Sequence, residues 1–252
     1  MDEPIIEFVD VYKSFRGQRV LDGLNLRIPR GKTSVILGRS GGGKSVTLKH
    51  MIGLMKPDRG RVLVDGENIA AMGKTDLNRI RRRFGMLFQE GALFDSMTVG
   101  DNVAFPLVEH TELGREEIRV RVEEMLRVVG LPGVEEKMPA ELSGGMRKRV
   151  GLARALILEP EIVLFDEPTS GLDPIMADAI DQLIYDTQRA SGRTHVVISH
   201  DIQATFKIAH YIAMLYEGRI IADGTPEEIR ANPNPFVVQF VRGTAEGPIR
   251  VQ

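Results

Sequence analysis

The chain has 252 residues, enough to bury one large core or one core with a small subdomain. Its 33 basic and 35 acidic side chains nearly balance, so we expect no nucleic-acid partner. The absence of cysteine excludes disulfides and thiolate chemistry. No apolar run approaches the ~18–20 residues that span a bilayer, and residues 1–4 lack the order of a signal peptide. We therefore expect an intracellular protein that reaches any membrane through a partner.

Short strands dominate the first part of the chain and alternate with helices later. Apolar runs bounded by glycine or charged turns predict strands at residues 6–9, 24–28, 34–37, 61–65, 84–88, 161–165, 195–199, 211–216 and 219–222. Helical spacing covers residues 46–52, 98–141, 147–156 and 177–189. A further helix begins at Thr225, which forms a capping box with Glu228. Residues from 231 onward, rich in proline and glycine, predict no compact element.

A glycine-rich segment lies between the strand at 34–37 and the helix at 46–52. It reads Gly38, Arg39, Ser40, Gly41, Gly42, Gly43, Lys44, Ser45, followed by Val46. Glycines let backbone N–H groups turn towards a phosphate, and the following helix points its positive end there. Lys44 then offers a cation to the β- and γ-phosphates, and the Ser45 hydroxyl is a hard ligand for Mg²⁺. A plain glycine turn is the alternative, but Gly, Lys and Ser stand in the register of a phosphate loop.

Two adjacent carboxylates, Asp166 and Glu167, end the apolar strand at 161–165. Alone, such a pair is usually a solvated turn. In a chain that also has a phosphate loop, the pair indicates two separate catalytic roles. Asp166 would bind the magnesium shell, and Glu167 would polarise the attacking water. Further upstream, Ser143, Gly144 and Gly145 precede a helix, and a hydroxyl with glycine N–H groups at a helix start forms a second anion site.

These motifs, with the loop at 170–174, resemble the ATPase subunit of ABC transporters over nearly the whole chain. The resemblance implies an α/β P-loop NTPase fold with a RecA-like core, an antiparallel β subdomain and a helical signature subdomain. It implies an ATPase domain at 1–230, with the helical subdomain at about 98–141. Residues 231–252 are then a C-terminal extension, which we expect to contact a second copy or a partner.

The same resemblance implies an ATP hydrolase that uses ATP and Mg²⁺ and acts as a head-to-tail homodimer. The Ser143 segment of one copy closes over the phosphate loop of the other, and Asp173 lies in the loop that communicates between the two sites. Gln89 senses the γ-phosphate and magnesium, and His200 contacts the γ-phosphate and orders the catalytic water. Phe15 stacks on adenine. Tyr12 is the other candidate for this contact, and the alternative for Phe15 is that its ring only packs under the hairpin.

Several segments are similar to the ATPases of Mla/Mce-type phospholipid transport systems, namely 43–54 with Pro57 and Asp58, 89–99, 142–149, and 236–240 with Gly243 and Gly247. Gly42 and Met146 stand where the wider family more often has Ser and Gln or Arg. This similarity implies a subunit at the cytoplasmic face of the bacterial inner membrane that powers phospholipid transport. Its partners would be an integral membrane permease, an MCE-domain lipid-binding protein and often a STAS-domain protein.

Three alternatives stay open. The first is an ABC ATPase for another solute. The second is a soluble ABC protein that acts on DNA or ribosomes, although such proteins usually carry two cassettes, long coiled coils or zinc insertions. The third is a phosphate-loop kinase, which leaves residues 142–145 unexplained. We interpret the basic run at 79–83 as a solvated surface. We interpret the basic run at 147–149 as a cationic face beside bound phosphates.

Overall fold

The computed structural model describes residues 3–249, so predictions for residues 1–2 and 250–252 lie outside it. Within that range no helix is both long and apolar enough to cross a bilayer. The elements in chain order are β1 (Pro4–Phe15), β2 (Gln18–Pro29), β3 (Thr33–Leu37), α1 (Lys44–Met51), β4 (Arg59–Val64), β5 (Glu67–Asn68), α2 (Lys74–Arg81), β6 (Phe84–Leu87), α3 (Val99–His110), α4 (Arg115–Val128), α5 (Gly144–Leu156), β7 (Ile162–Asp166), α6 (Pro174–Ser191), β8 (Thr194–Ser199), α7 (Ile202–Ile208), β9 (Tyr211–Tyr216), β10 (Arg219–Gly224), α8 (Pro226–Arg230) and α9 (Pro235–Arg242).

The chain forms two compact units, and the first is discontinuous in sequence. Among the described residues it contains 3–81 and 196–249, whereas the second unit is Arg82–His195. In the first unit, β2, β1, β4 and β5 form an antiparallel sheet in that order. Strand β3 lies parallel to β9, and β9 pairs with β10 in an antiparallel hairpin. All five residues of β3 are buried, as its unbroken apolar run predicts.

Strand β1 is longer than the prediction at residues 6–9. Its register with β2 shifts between Phe8 and Val11, and Asp10 has a φ of 48°. This bulge returns Val11 to the buried side, so alternation read from the sequence stops at residue 9 although the strand continues. The β1–β2 turn uses Arg16 and Gly17, both at positive φ, which matches the right-handed twist of a hairpin.

The prediction that residues from 231 onward form no compact element is wrong. Helix α9 buries Val237 in a cluster of the first unit with Leu37, Ile212, Met214, Ala222 and Ile229. Pro235, one of the prolines and glycines on which that prediction rested, occupies the first turn of α9, where its missing N–H costs nothing. The predicted capping box of α8 is confirmed, since Thr225 and Glu228 cap each other's backbone N–H groups.

The second unit contains a parallel strand pair, β6 and β7, with α3 to α6. Helix α5 buries eight of its residues and packs on β6, α3, α4 and α6. Residues 98–141 hold α3, α4 and a 3-10 turn at Pro139–Glu141. Helix α4 buries Val122 and Leu126, which stand at the helical spacing seen in the sequence.

The interpretation of residues 79–83 as a solvated surface is wrong for Arg81 and Arg83, which are partly buried, whereas Arg79 is exposed. In α2, Arg79 forms a bidentate pair with Glu67, with N–O distances of 3.1 and 2.6 Å. Arg81 donates to the carbonyl oxygens of Ile52 and Gly53 after α1. In the second unit, Arg83 donates twice to Glu161. These partners lie 12 to 78 residues away in the chain, so a local charge pattern does not reveal them.

Candidate functional site

The phosphate-loop segment joins the buried strand β3 to helix α1 in the first unit. Gly41 and Gly43 have φ values of 76° and 98°, which side chains other than glycine rarely adopt. A Cβ on Gly38 would lie 2.5 Å from the carbonyl oxygen of Leu215, so this position also needs glycine for close approach. Helix α1 has no side-chain cap and no acidic residue in its first turn. Its N-terminal N–H groups and positive dipole end therefore suit an anion.

Lys44 is the cation of this loop and is only 4% exposed. Its Nζ donates to the carbonyl oxygens of Gly38, at 2.8 Å, and Arg39, at 3.0 Å. The ammonium is therefore held inside the curve of the loop. Ser45 follows in the first turn of α1 and is partly buried, as is Val46. Phosphate oxygens entering the loop would meet the Lys44 charge together with the backbone N–H groups.

The hairpin of β1 and β2 carries the aromatic side chains predicted to meet a base. Phe15 is 41% exposed at the end of β1, and the Lys13 Nζ lies 5.6 Å from its ring centroid. Tyr12 is already engaged, since the guanidinium of Arg59 lies 5.4 Å from its ring centroid. Its hydroxyl also lies 3.0 Å from where a Cβ on Gly23 would be. Of the two aromatic rings, Phe15 is the one with an open surface.

The hairpin and the phosphate loop are in contact. A Cβ on Gly43 would lie 3.1 Å from the Val20 carbonyl oxygen and 3.2 Å from a Leu21 methyl group. Strand β2 therefore packs directly on the last turn of the loop. His200 belongs to the same unit, where it is exposed after β8, and the next residue, Asp201, caps α7.

In the second unit, β7 delivers Asp166 and Glu167 after four fully buried apolar residues. Glu167 has a φ of 46°, an uncommon conformation for a residue with a side chain. Such positions cost about 1–3 kcal/mol and cluster at functional sites. The Glu167 carbonyl oxygen accepts a hydrogen bond from the Ser170 N–H at 3.1 Å, which closes the turn.

Ser170 joins Gln89 to the helix that follows the Ser143 segment. Its hydroxyl accepts from Gln89 Nε2 at 3.3 Å, and its carbonyl oxygen accepts from Lys148 Nζ at 2.5 Å. Lys148 is 5% exposed, so its prediction as part of a cationic face is wrong. Burial lowers the pKa of Lys148, while the charges of Glu90 and Glu167 oppose that change. Sequence reasoning placed Ser170 in the loop at 170–174 and Lys148 in the basic run at 147–149, but it missed the contact between them, because neither motif names its partner.

Ser143 caps α5 by accepting from the Met146 N–H at 3.2 Å. Asp173 caps α6 by accepting from the N–H groups of Ile175 and Met176, both at 3.1 Å. The two helix starts are neighbours, since a Cβ on Gly145 would meet the Met176 methyl at 2.3 Å and one on Gly144 would lie 3.6 Å from Leu172. Two capped helix N-termini therefore form one surface, where Ile175 is 81% exposed.

The predicted site residues thus divide between the units. The first unit holds Phe15, the loop from Gly38 to Val46, and His200. The second holds Gln89, Asp166, Glu167, Ser143, Gly144, Gly145 and Asp173. Within residues 3–249 no group of three His, Cys, Asp or Glu side chains forms a metal cage. Magnesium beside a nucleotide needs no such cage, because phosphates and water supply most of its ligands.

Comparisons with known proteins agree with these motifs. The ABC transporter family model matches residues 21–170. The intermembrane phospholipid transport system ATP-binding protein MlaF of Escherichia coli K12 is 45% identical over 99% of this chain and 94% of its own length. MlaF of Haemophilus influenzae is 44% identical over 93% of this chain and 89% of its own. A probable ribonucleotide transport ATP-binding protein, mkl, of Mycobacterium leprae is 46% identical over 97% of this chain and 70% of its own.

Solved structures show the same fold. The ATP-binding cassette MJ0796, in a dimeric post-hydrolysis state with ADP and Pi, superposes with a TM-score of 0.81 at 32% identity, covering 88% of this chain and 98% of that one. CbiO1 from Clostridium perfringens, part of the cbiONQ complex, gives 0.83 at 32% identity, with 96% of each chain covered. The predicted ABC ATPase fold is confirmed, and the chain belongs to the ABC transporter family.

Proposed function

We propose that this chain is the ATP-hydrolysing subunit of an ABC transporter that moves phospholipid between membranes through a partner permease. The observation that carries the proposal is the 45% identity to E. coli MlaF, whose name assigns it to intermembrane phospholipid transport, over 99% of this chain. The segments at 43–54, 89–99 and 142–149, which resemble that group, contain the end of the phosphate loop from Gly43 to Ser45, Gln89 and the Ser143 segment.

Nucleotide binding begins with the phosphates in the loop of the first unit. The N–H groups at the start of α1 and the Lys44 ammonium receive the β- and γ-phosphates, which replace carbonyl oxygens as partners of Lys44. The exposed Phe15 ring stacks on the adenine, a contact that contributes about 1–3 kcal/mol per base. The Ser45 hydroxyl, the Asp166 carboxylate and the Gln89 amide oxygen are hard donors that suit Mg²⁺, which neutralises phosphate charge when bound.

Hydrolysis is assigned to Glu167, which accepts a proton from the attacking water as that water attacks the γ-phosphorus and ADP leaves. Gln89 and His200 orient the water and the γ-phosphate. The Gln89 bond to Ser170 and the Lys148 bond to the same residue support a coupled loop, since they tie Gln89 to the turn that carries Glu167. Movement of Gln89 on nucleotide binding would then change the position of Glu167.

A second copy of the chain completes the unit of action. The Ser143 cap, with Gly144 and Gly145, is an anion site beside the exposed Ile175 and the Asp173 cap. A helix N-terminus of this kind suits the γ-phosphate held by the other copy's phosphate loop. Closure of the dimer would bury Ile175 and assemble two composite sites. The permease, an MCE-domain protein and a STAS-domain protein would complete the system at the cytoplasmic face of the inner membrane.

The relative in M. leprae supports a second candidate cargo, because a protein 46% identical to this chain is named for ribonucleotide transport. Co-purification from native membranes in mild detergent, with mass spectrometry of proteins and lipids, separates the two. The proposal predicts a polytopic permease, an MCE-domain protein and retained phospholipid. A permease with a different binding protein and no phospholipid would overturn the lipid cargo. Recovery from the cytosol alone would overturn the transporter assignment.

The ATPase assignment has its own test in the reconstituted complex. Wild-type protein should drive ATP-dependent transfer of fluorescent phospholipid between vesicles, and Lys44→Ala should abolish both transfer and ATP hydrolysis. Arg27→Ala is a matched control, because it removes a surface cation that pairs with Glu7 on the neighbouring strand, away from the phosphate loop. Hydrolysis retained by Lys44→Ala would remove the phosphate-loop assignment.

A further inference from the structure

We propose that Asp58 is a positioning residue for the base-binding ring: it clamps the end of β1 and so fixes Phe15 relative to the phosphate loop. The inference rests on the proposed function, because it takes ATP as the ligand and Phe15 as its adenine contact. Asp58 touches neither phosphate nor base in this assignment. Its effect on nucleotide binding passes through Lys13, Ser14 and Phe15 at the end of β1.

The end of β1 needs this clamp because its partner strand stops short. Strand β4 pairs with β1 as far as Tyr12, which lies opposite Arg59, the first residue of β4. Beyond that point Lys13, Ser14 and Phe15 have β2 on one side and no β4 residue on the other. The preceding Pro57 has no N–H with which to continue the ladder.

Asp58 supplies the missing contacts on that side. Its backbone N–H donates to the Tyr12 carbonyl oxygen at 2.9 Å. Its Oδ2 accepts from the Ser14 N–H and its Oδ1 from the Lys13 Nζ, both at 2.7 Å. One residue therefore bonds three consecutive positions of β1 immediately before Phe15. The Lys13 ammonium and the Ser14 N–H both lower the pKa of Asp58, so the carboxylate is charged at neutral pH.

Lys13 extends the clamp to the ring itself. Its Nζ also donates to the Lys56 carbonyl oxygen at 2.9 Å, and it lies 5.6 Å from the Phe15 ring centroid, within cation–π range. The ammonium is thus held by two oxygen ligands while it faces the ring. Without Asp58, Lys13 loses its charged partner. The end of β1 and the Lys13 ammonium beside the Phe15 ring then become more mobile.

Asp58 is also connected to α1, the helix that follows the phosphate loop. Residues 52–58 follow α1 directly, and the N–H groups of Leu54 and Met55 donate to the Lys49 carbonyl oxygen in its last turn. Helix α1 begins with Lys44 and Ser45 at the phosphate loop. Asp58 therefore links two contacts with one nucleotide, the base at Phe15 and the phosphates at α1, and fixes the spacing between them. A preorganised spacing favours binding of the whole nucleotide over binding of its phosphates alone.

The test is calorimetric titration of the full chain with ATP and with inorganic triphosphate, which has no base. Phe15→Ala should weaken ATP binding roughly 5- to 100-fold, as expected for a lost stacking contact. Asp58→Ala should weaken it about 3- to 10-fold through the same ring. Neither should change triphosphate binding more than about twofold. Adding Asp58→Ala to Phe15→Ala should cause no further loss, because the ring is then absent.

Two further variants serve as controls for the effect of Asp58→Ala on ATP binding. Asp58→Asn keeps an acceptor for the Ser14 N–H but loses the charge facing Lys13, so it should fall between wild type and Asp58→Ala. Glu7 lies in β1, the strand that carries Phe15, but at its other end, so Glu7→Ala, which breaks the ion pair with Arg27 of β2, should bind ATP like wild type. Equal weakening of ATP and triphosphate by both Asp58 variants would overturn the inference, as would additive losses in the double variant.

The outcomes also separate the inference from its premise. If Phe15→Ala weakens ATP binding while Asp58→Ala does not, the positioning role falls and the proposed nucleotide site stands. If Phe15→Ala leaves ATP binding unchanged, the adenine contact and the role of Asp58 both fall. ATP hydrolysis at saturating nucleotide should stay within about twofold of wild type for Asp58→Ala, since a positioning effect on binding alters KM and leaves kcat unchanged.

Discussion

Replacement of Asn102 by alanine should destabilise the second unit, because this amide holds the chain between β6 and α3. Asn102 is fully buried. Its Oδ1 accepts from the Phe94 N–H at 2.8 Å. Its Nδ2 lies 3.1, 3.2 and 2.9 Å from the carbonyl oxygens of Phe94, Met97 and Thr98. One side chain thus lies within hydrogen-bond distance of four backbone groups, with the two Nδ2 hydrogens shared among three carbonyl oxygens, in a segment that has no sheet or helix of its own.

The magnitude follows from burial and from the number of groups left unpaired. A net hydrogen bond contributes about 1 kcal/mol, and each buried group left without a partner costs about 1–3 kcal/mol. Alanine removes the amide, so the Phe94 N–H loses its acceptor and the Met97 carbonyl oxygen loses a donor beside a side chain that is itself fully buried. We expect a loss of about 3 kcal/mol in the free energy of unfolding. For a chain of this size that corresponds to a Tm lower by about 6–12 °C.

Thermal unfolding by calorimetry measures the loss, with Asn25→Ala as the matched control. Asn25 makes three hydrogen bonds, accepting from the Asp10 N–H and donating to the Asp10 carboxylate and the Gly23 carbonyl oxygen. It is exposed, so water replaces those bonds and the expected cost is within about 1 kcal/mol. A fall in Tm for Asn102→Ala no greater than that for Asn25→Ala would refute the reasoning that burial sets the cost.

Three further predictions concern the site and its support. Glu167→Gln should retain ATP binding and slow hydrolysis by ~10²–10⁴, as measured by phosphate release; wild-type turnover would contradict its role as general base. Ser143→Arg should spare nucleotide binding and block hydrolysis, and an unchanged rate would argue against a composite site. Burial lowers the pKa of His50 below 6.5 despite nearby Asp58, with Lys13 adding to the shift. The unfolded state therefore binds a proton first, and stability should fall as pH drops below about 6.5. His50→Gln should lose less stability than wild type between pH 7 and 5 in urea titrations, and equal losses would exclude His50 as the cause.

The sequence predicted those parts of the site whose chemistry lies in consecutive residues. The loop from Gly38 to Ser45 is recognisable because each glycine and the lysine serve one ligand at fixed offsets. The Thr225 cap is recognisable for the same reason, since its partner Glu228 stands three residues away. The fully buried β3 also follows from its own composition.

The sequence could not predict contacts that depend on distant residues. Lys148 looks like one member of a surface run, and only the fold shows that it is buried with its Nζ bonded to Ser170, 22 residues away. Asp58 and Lys13 are separated by 45 residues, and the similarity that includes Asp58 does not indicate its contact with Lys13. Helix α9 is short, begins at Pro235 two residues after Pro233 and depends on the apolar cluster around Val237, which the sequence does not display. Tertiary packing overrides the local signal at each of these positions.

The discontinuity of the first unit has a consequence for synthesis on the ribosome. Strand β3 emerges early, but its parallel partner β9 lies about 170 residues further along the chain. At about 5–20 residues per second, β3 waits roughly 10–35 s for that partner. The second unit is continuous from 82 to 195 and can fold during the delay. A newly made chain therefore leaves a strand that is buried along its whole length in the folded protein unpaired until translation is nearly finished, which makes β3 the segment where chaperone binding or aggregation during synthesis would begin.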